Sequence, residues 1–546
     1  MLTRRRGRRI GRTLAGLGCA VLAACSGGAT TPAAPTPSTT PKATATDTSN
    51  DPAARVAAMS LEQQIGQLLL PQVYGSSATD VTPAQARANQ ALLGVATPAE
   101  AIRRYSLGGV TLLGQNTTDP VFADLPTGNA ENPKQLRALT DGLTTAARAG
   151  GDDLPLVIAI DQEGGVVDRL RAPATEMPAA MAVGATGDPD NARAAAAVTA
   201  AELRAVGVTV DLAPVADLAS LPTNTVIGTR SYGADPTSVG RYVTAAVAGL
   251  QGSGSQGGGV AGTLKHFPGH GGTDVDSHLR LPTLPQSRAQ LDAADLVPFR
   301  AGIDGGVDLV MTGNLRVPAI DGSSPASLSK PLITDVLRRQ LGFDGVVITD
   351  ALSMGAIRQD YSPGEAAVRA VDAGADLLSI SANTAEARTA LLDAVGSGRL
   401  SRRTVADAAT RVVRLRMSLA RGPQPPITSV GSAEHRAVAA HVAAASITQL
   451  TSPGPGLLPS VSVRGRDTAA LSAALVARGK QLGGGSEITV LGSQDRAAAA
   501  SATQWAVGVG TPWVLASSPA RVQLTAYGDV PASINALADV LTGRAS

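Results

Sequence analysis

Eight short apolar runs, each followed by a helical pattern, recur along one stretch of this chain. That alternation restricts the possible folds more than any other feature. The runs lie at 67–70, 110–113, 156–160, 208–212, 260–264, 308–311, 346–348 and 376–380. Most are apolar at successive positions, as strands covered on both faces must be. Between them, segment 97–100 (Thr-Pro-Ala-Glu) offers an N-cap, a proline at the first helical position and a capping-box glutamate. A further helical pattern at 291–302 leads into the run at 308. Eight such units over about 370 residues predict a TIM-type (β/α)8 barrel with insertions. A doubly wound open sheet is the competing α/β architecture.

A barrel demands that chemistry gather just beyond the strands, at their C-terminal ends. The sequence meets that demand three times. Asp161-Gln162-Glu163 follows the third run, Lys265-His266 the fifth, and Thr349-Asp350 the seventh.

Beyond a helix at 401–420, a Pro/Gly break at 422–426 ends the barrel-like texture. The expected division is a catalytic barrel at 53–421 and a small α/β domain at 427–546. The latter has apolar runs at 489–491 and 513–516, a helix carrying His435 and His441, and a last helix at 532–541. Those two histidines read as surface or packing residues on an Ala-rich helix. The region carries no dense polar constellation, so no catalytic role is expected of it.

The N-terminal end reads as an export leader. Six arginines occupy the first dozen residues, and an apolar stretch follows at 14–24. The expected signal peptide is 1–24. It ends in Leu-Ala-Ala before Cys25, a pattern that resembles a bacterial lipobox. The resemblance implies lipidation of Cys25 and attachment to the outer face of the cell membrane. Either the general or the twin-arginine export route fits. Residues 25–52 are rich in Ser, Thr, Pro and Ala and read as a flexible tether. Cys19 and Cys25 are the only cysteines, so the processed chain has no internal disulfide and no thiolate metal site. Removing the six leader arginines from a net charge of +2 leaves about −4. A mildly acidic body gives no reason to expect a nucleic-acid partner.

Three of the five histidines, His266, His270 and His278, crowd into residues 265–278, with Asp274 and Asp276 among them. Pro268 and Gly269 describe a bent loop. A metal site could use the His266-x3-His270 spacing, but Pro268 and Gly269 oppose the helix that spacing needs. Capping or surface roles are the plainest reading. Acid/base catalysis by an Asp-x-His pair is the third. There Asp276 would accept from one ring nitrogen of His278, leaving the other for substrate. An opposing group is then required. Asp350 is the candidate, with a helix N-cap before residues 351–354 as its alternative role.

These residues resemble glycoside hydrolase family 3, in its exo-β-N-acetylglucosaminidase branch. The likeness rests on 265–278 and on segments 160–169, 211–215, 227–236 and 341–350. The tail at 526–538 resembles the end of that family's C-terminal domain. By motif, the resemblance implies that Asp350 is the nucleophile of a retaining mechanism and His278 the general acid/base, oriented by Asp276. Asp161, Arg169, Arg230, Lys265 and His266 would bind sugar. A carbohydrate substrate is implied, with no metal and no cofactor. With the envelope location, GlcNAc-containing fragments of peptidoglycan are the expected substrate. Phosphorolysis, β-glucosidase action and a glycan-binding lipoprotein without activity are the rivals. Asn314 stands where the branch often has His, and Ala351 where it often has a second Asp.

Overall fold

The computed structural model describes residues 50–114, 125–252, 258–419, 422–451 and 456–544. The proposed leader, Cys25 and nearly all of the tether lie outside the described residues.

All eight apolar runs become strands. They are β1 (Leu69–Leu70), β2 (Gly109–Leu112), β3 (Val157–Ile160), β4 (Val210–Asp211), β5 (Ala261–Phe267), β6 (Leu309–Thr312), β7 (Val346–Thr349) and β8 (Leu378–Ser379). Strands β2 to β7 pair in sequence order as one parallel sheet. Strand β1 pairs in parallel with β8. Single parallel bridges, Gln72 to Thr111 and Ile348 to Leu377, join this pair to the two edges of the larger sheet. The eight strands therefore follow one another around a ring, which is the barrel and not the open sheet. The helix expected at 97–100 starts as read, with Thr97 and Glu100 forming a reciprocal capping box.

Side-chain alternation sorts the barrel into two cores. Val157, Ala159, Val210, Leu212, Leu309, Met311, Val346 and Ile348 form the inner cluster. The intervening Ile158, Ile160, Leu264, Val310 and Val347 pack outward against the helices. At the N-terminal end of the barrel, the helix Arg402–Leu419 supplies Val412 and Leu415 to the inner cluster. Its Arg416 side chain is fully buried. The guanidinium donates to the carbonyls of Pro155 and Leu154 at 2.8 and 3.0 Å, to the Asp152 carboxylate at 2.8 Å and to Gln67 Oε1. One cation thus fastens the last barrel helix to the approach to β3.

A second six-stranded sheet follows: β9 (Thr448–Gln449), β10 (Ser460–Gly465), β11 (Gln481–Leu482), β12 (Ser486–Leu491), β13 (Trp505–Gly508) and β14 (Val522–Thr525). Their order is β9-β14-β13-β12-β10-β11, parallel except for β9 against β14. The run at 489–491 lies in β12. The run at 513–516 lies instead in a short 3-10 segment, Pro512–Ser517. Strands β13 and β14 carry the sheet there, and neither forms a continuous apolar run. The helix expected at 291–302 is two helices, Arg288–Ala293 and Leu296–Asp304, because Ala294 leaves helical geometry.

The helix Ala433–Ser446 packs Ala439 against Met177, Ala195 and Val198 of the barrel side. His435 Nδ1 meets the buried Glu202 carboxylate at 2.8 Å, so this histidine is a packing residue at the junction. Tyr527 and Trp513 join Met181, Ala182 and Ala219 in another junction cluster.

Truncating Arg416 to Ala strands several buried acceptors and should cost about 3–5 kcal/mol of stability. Urea unfolding followed by circular dichroism measures it. An unchanged midpoint would mean the fastening is dispensable.

Candidate active site

Strand parity carries polar groups into the barrel mouth. Positions 157 and 159 face inward, and the next position in that register is Asp161. On β7, 346 and 348 face inward, and Asp350 follows. On β5, Ala261 faces inward, and Lys265 stands two pairs further on. The three residues line one cavity, open to solvent, whose apolar lining includes Leu113, Leu212 and Met311. His266 of β5, Arg230 of the 3-10 turn Gly228–Arg230, and Arg169, His270, Ser277 and His278 from loops reach the same cavity. Every substrate-binding residue expected from the sequence, together with Asp350 and His278, is therefore brought to one place. Asp276 stands directly behind His278.

Lys265 is the centre of the cluster. Its side chain is 2% exposed, and its ammonium lies 2.6 Å from both Asp161 Oδ1 and Glu163 Oε1. Burial opposes its charge, but the two carboxylates outweigh burial and raise its affinity for the proton. Burial likewise opposes ionisation of Asp161, yet Lys265 and Arg169 hold its carboxyl below the usual range. Burial also opposes ionisation of Glu163, but Arg230 with Lys265 holds its carboxyl well below the usual range. Arg230 grips Glu163 with two bonds of 2.8 Å, the bidentate fork that arginine forms with carboxylates. Its Nη2 also approaches His266 Nε2 at 3.4 Å. The arrangement presents fixed charged donors and acceptors suited to sugar hydroxyls.

Glu163 was not singled out from the sequence, although it lies two residues past Asp161 in the same motif. Asp217 was missed as well. It is fully buried, and its Oδ2 meets His266 Nδ1 at 2.6 Å while its Oδ1 accepts from the backbone N–H groups of His266 and His270 at 3.1 and 2.7 Å. Burial opposes its ionisation, but His266 and His270 hold it below the usual range. A polar residue following the apolar segment 212–216 was the available signal. Gln162 is a third positioning residue. Its Oε1 accepts from the backbone of Arg169 and Leu170 at 3.0 and 2.9 Å, and its Nε2 donates to Asp168. These bonds pin the hairpin Gln162–Gly164 and Val167–Asp168, which delivers Arg169.

His278 has its Nδ1 2.8 Å from Asp276 Oδ1, which also accepts from the His278 backbone N–H at 2.9 Å. Burial opposes ionisation of Asp276, but these contacts with His278 pull its carboxyl below the usual range. The His278 side chain is 56% exposed, so its free Nε2 stands where solvent and a leaving group can reach it. Asp350 sits deeper. Its Oδ1 accepts from the Ala351 N–H at 2.7 Å, and its own N–H donates to the Thr312 carbonyl. The helix-cap role is excluded, since residues 351–354 form a turn and the following helix, Gly355–Arg358, begins after Met354. Asn314 is buried away from the cavity. It donates to the Ala351 carbonyl at 2.8 Å and accepts from Ser327 Oγ at 2.6 Å, so it supports the segment after Asp350.

Residues 60–415 match the glycosyl hydrolase family 3 N terminal domain, and the chain belongs to that family. It is 34% identical over 387 residues to a β-hexosaminidase A of Pseudoalteromonas piscicida, covering 65% of this chain and 61% of that protein. The chain thus spans less than two thirds of that relative's length. A β-hexosaminidase of Mycobacterium tuberculosis is 36% identical over 307 residues, covering 54% of this chain and 72% of its own. The structure of a glycoside hydrolase family 3 β-N-acetylglucosaminidase from Paenibacillus superposes with a TM-score of 0.78 at 32% identity. It covers 90% of this chain and 98% of that one.

Lys265→Met should leave two buried carboxylates facing each other and cost about 3–5 kcal/mol at neutral pH. In the native protein, the depressed carboxyls of Asp161 and Glu163 contribute stability above the unfolded carboxyl range, and it is lost as pH falls through their folded values. Without the ammonium, burial dominates at least one of them, and its folded value rises. The deficit of the variant should then shrink as pH falls from about 7 to 5. Thermal unfolding across that range measures it, and a pH-independent deficit would contradict the role given to Lys265.

Proposed function

We propose that the protein is a retaining exo-β-N-acetylglucosaminidase that releases terminal GlcNAc from peptidoglycan fragments. The observation that carries this reading is a single pocket lined by both a strand-end carboxylate, Asp350, and an imidazole, His278, backed by Asp276. Retaining hydrolysis needs a nucleophile and a proton donor flanking one glycosidic bond. In the first step the Asp350 carboxylate attacks C1, the bond from C1 to the leaving oxygen breaks, and His278 Nε2 gives that oxygen its proton. In the second, neutral His278 takes a proton from water, the water oxygen bonds to C1, and Asp350 is released. Asp276 stabilises the imidazolium and fixes the tautomer. Asp161, Glu163, Arg169, Arg230, Lys265 and His266 hold the terminal sugar. The family relatives named β-hexosaminidase support this substrate class.

Phosphorolysis is the second reading, because the proton carrier is an imidazole. Once neutral, it places no negative charge in the path of a phosphate dianion, as a carboxylate would.

A 5-fluoro β-N-acetylglucosaminyl fluoride, which keeps the 2-acetamido group, should trap a covalent adduct. Mass spectrometry should place it on the peptide containing Asp350. An adduct on another residue, or hydrolysis unchanged in Asp350→Ala, would remove the proposed nucleophile. Faster turnover of p-nitrophenyl β-glucoside than of the β-GlcNAc analogue would overturn the substrate assignment. Accumulation of GlcNAc 1-phosphate on adding phosphate would convert the reading to a phosphorylase.

The lipobox reading places the enzyme on the outer face of the membrane. Expressed in an exporting bacterial host, the chain should partition with membranes, and Cys25→Ser should release it. Equal partitioning of both would sink the anchor.

A further inference from the structure

We infer that the segment after Asp350 is the seat on which the proton-donor loop is held, and that Gly355 and Gln359 are positioning residues for His278. This rests on the assignment of His278 as the acid/base. The loop makes three hydrogen bonds to that segment. The Gly355 N–H donates to the His278 carbonyl at 3.0 Å, and the Ala356 N–H to the Ser277 carbonyl at 3.2 Å. Gln359 Nε2 donates to the Leu279 carbonyl at 2.9 Å across 80 residues of sequence. Three successive loop carbonyls, those of Ser277, His278 and Leu279, are therefore taken up by one short stretch that begins five residues past Asp350.

The seat has a steric requirement. A Cβ on Gly355 would stand 2.5 Å from the Leu279 carbonyl oxygen and 2.7 Å from that of His278. Both are backbone atoms, so no side-chain rotation relieves the clash and any larger residue must push the loop off. The other side of the loop is held at Ser277, whose Oγ lies 3.3 Å from His270 Nε2. His270 is itself fixed through its backbone N–H to Asp217. The His278 side chain itself is more than half exposed. Asp276 holds its ring from behind, and the backbone tethers hold the loop that carries both.

The seat itself is held from below. Ala351 and Met354 pack with Leu113 and Ile380, the Leu352 and Ser353 N–H groups donate to the carbonyls of Ser379 and Ile380, and Asn314 holds the Ala351 carbonyl. The segment that carries the nucleophile out of β7 thus also sets where the proton donor stands. Displacement of a catalytic group by about 1 Å can cost on the order of 100-fold.

The test compares leaving groups. A 2,4-dinitrophenyl β-GlcNAc departs without needing a proton, whereas N,N′-diacetylchitobiose needs one. Gly355→Ala should lower kcat/KM for diacetylchitobiose by about 10- to 100-fold and that for the dinitrophenyl substrate by less than about threefold. Gln359→Ala removes one bond from an exposed side chain without crowding. It should shift kcat/KM for diacetylchitobiose alone by about 2- to 10-fold, and it decides the matter if Gly355→Ala does not fold. His278→Ala, measured beside them, separates the two readings. If it loses both substrates equally, the acid/base assignment fails and the seat with it. If it discriminates between them while neither seat variant does, the seat alone is overturned.

Discussion

The cation of Lys265 is the fixed point around which the mouth of the barrel is arranged. A buried ammonium is costly unless its partners repay desolvation, and here two carboxylates do so at 2.6 Å. Each carboxylate then needs its own arginine. Glu163 takes Arg230 in a fork, and Asp161 has Arg169 at 3.9 Å. The loops bearing those arginines must be stabilised in turn. Gln162 pins the hairpin leading to Arg169, and Asn224 takes the Val226 and Ile227 N–H groups at the entry to Arg230. A cluster of alternating charge has little freedom to relax, so its geometry is set in advance of any ligand. Under the proposed role in sugar binding, such preorganisation avoids reorganising the polar groups on each encounter.

The barrel and half of its mouth were legible in the sequence for one reason, the two-residue repeat of strands. Once the eight apolar runs are read as parallel strands, the inward register of β3, β5 and β7 leads to Asp161, Lys265 and Asp350 without further information. The rest of the mouth comes from loops, where no period operates. Asp217, Glu163 and Gln162 act through contacts made across 49, 67 and 7 residues of sequence, and only the two longer separations require the fold to be seen. The motif resemblance located Arg169 and Arg230, which Gln162 and Glu163 hold in place, whereas the Asp276–His278 pair was readable from its own Asp-x-His spacing. The C-terminal sheet was less legible because β13 (Trp-Ala-Val-Gly) and β14 (Val-Gln-Leu-Thr) interrupt their apolar residues with Gly, Gln and Thr, so no continuous apolar run marks them.

The C-terminal region bears on the site through packing. Glu202, buried in the helix Pro189–Ala205, accepts from the Thr175 backbone and hydroxyl, the Gly431 backbone and the His435 ring. Four donors on one carboxylate join a barrel loop, the connecting segment and the helix Ala433–Ser446. Above it, Tyr527 and Trp513 pack on Met181, Ala182 and Ala219, and Thr511 lies against Gly228, two residues before Arg230. The second sheet thus supports the outer side of the loop that supplies the fork on Glu163. It lies behind Arg230, and among the described residues it contributes no group to the lining of the cavity.

The two proposed catalytic groups are held in opposite ways, and the chemistry explains why. A nucleophile must meet C1 along one line, and Asp350 is fixed at a strand end with its N–H and one carboxylate oxygen engaged by backbone. A proton donor must serve leaving groups of different shape and then admit water to the same face. His278 stands on a loop with an exposed ring, held by a carboxylate behind it and by backbone tethers beneath it. An imidazole suits that position better than a carboxylate, because its loaded form carries positive charge beside a developing oxyanion and its spent form carries none. Rigid attack and adaptable protonation can then be built from one barrel, provided that the adaptable part is seated on the rigid one.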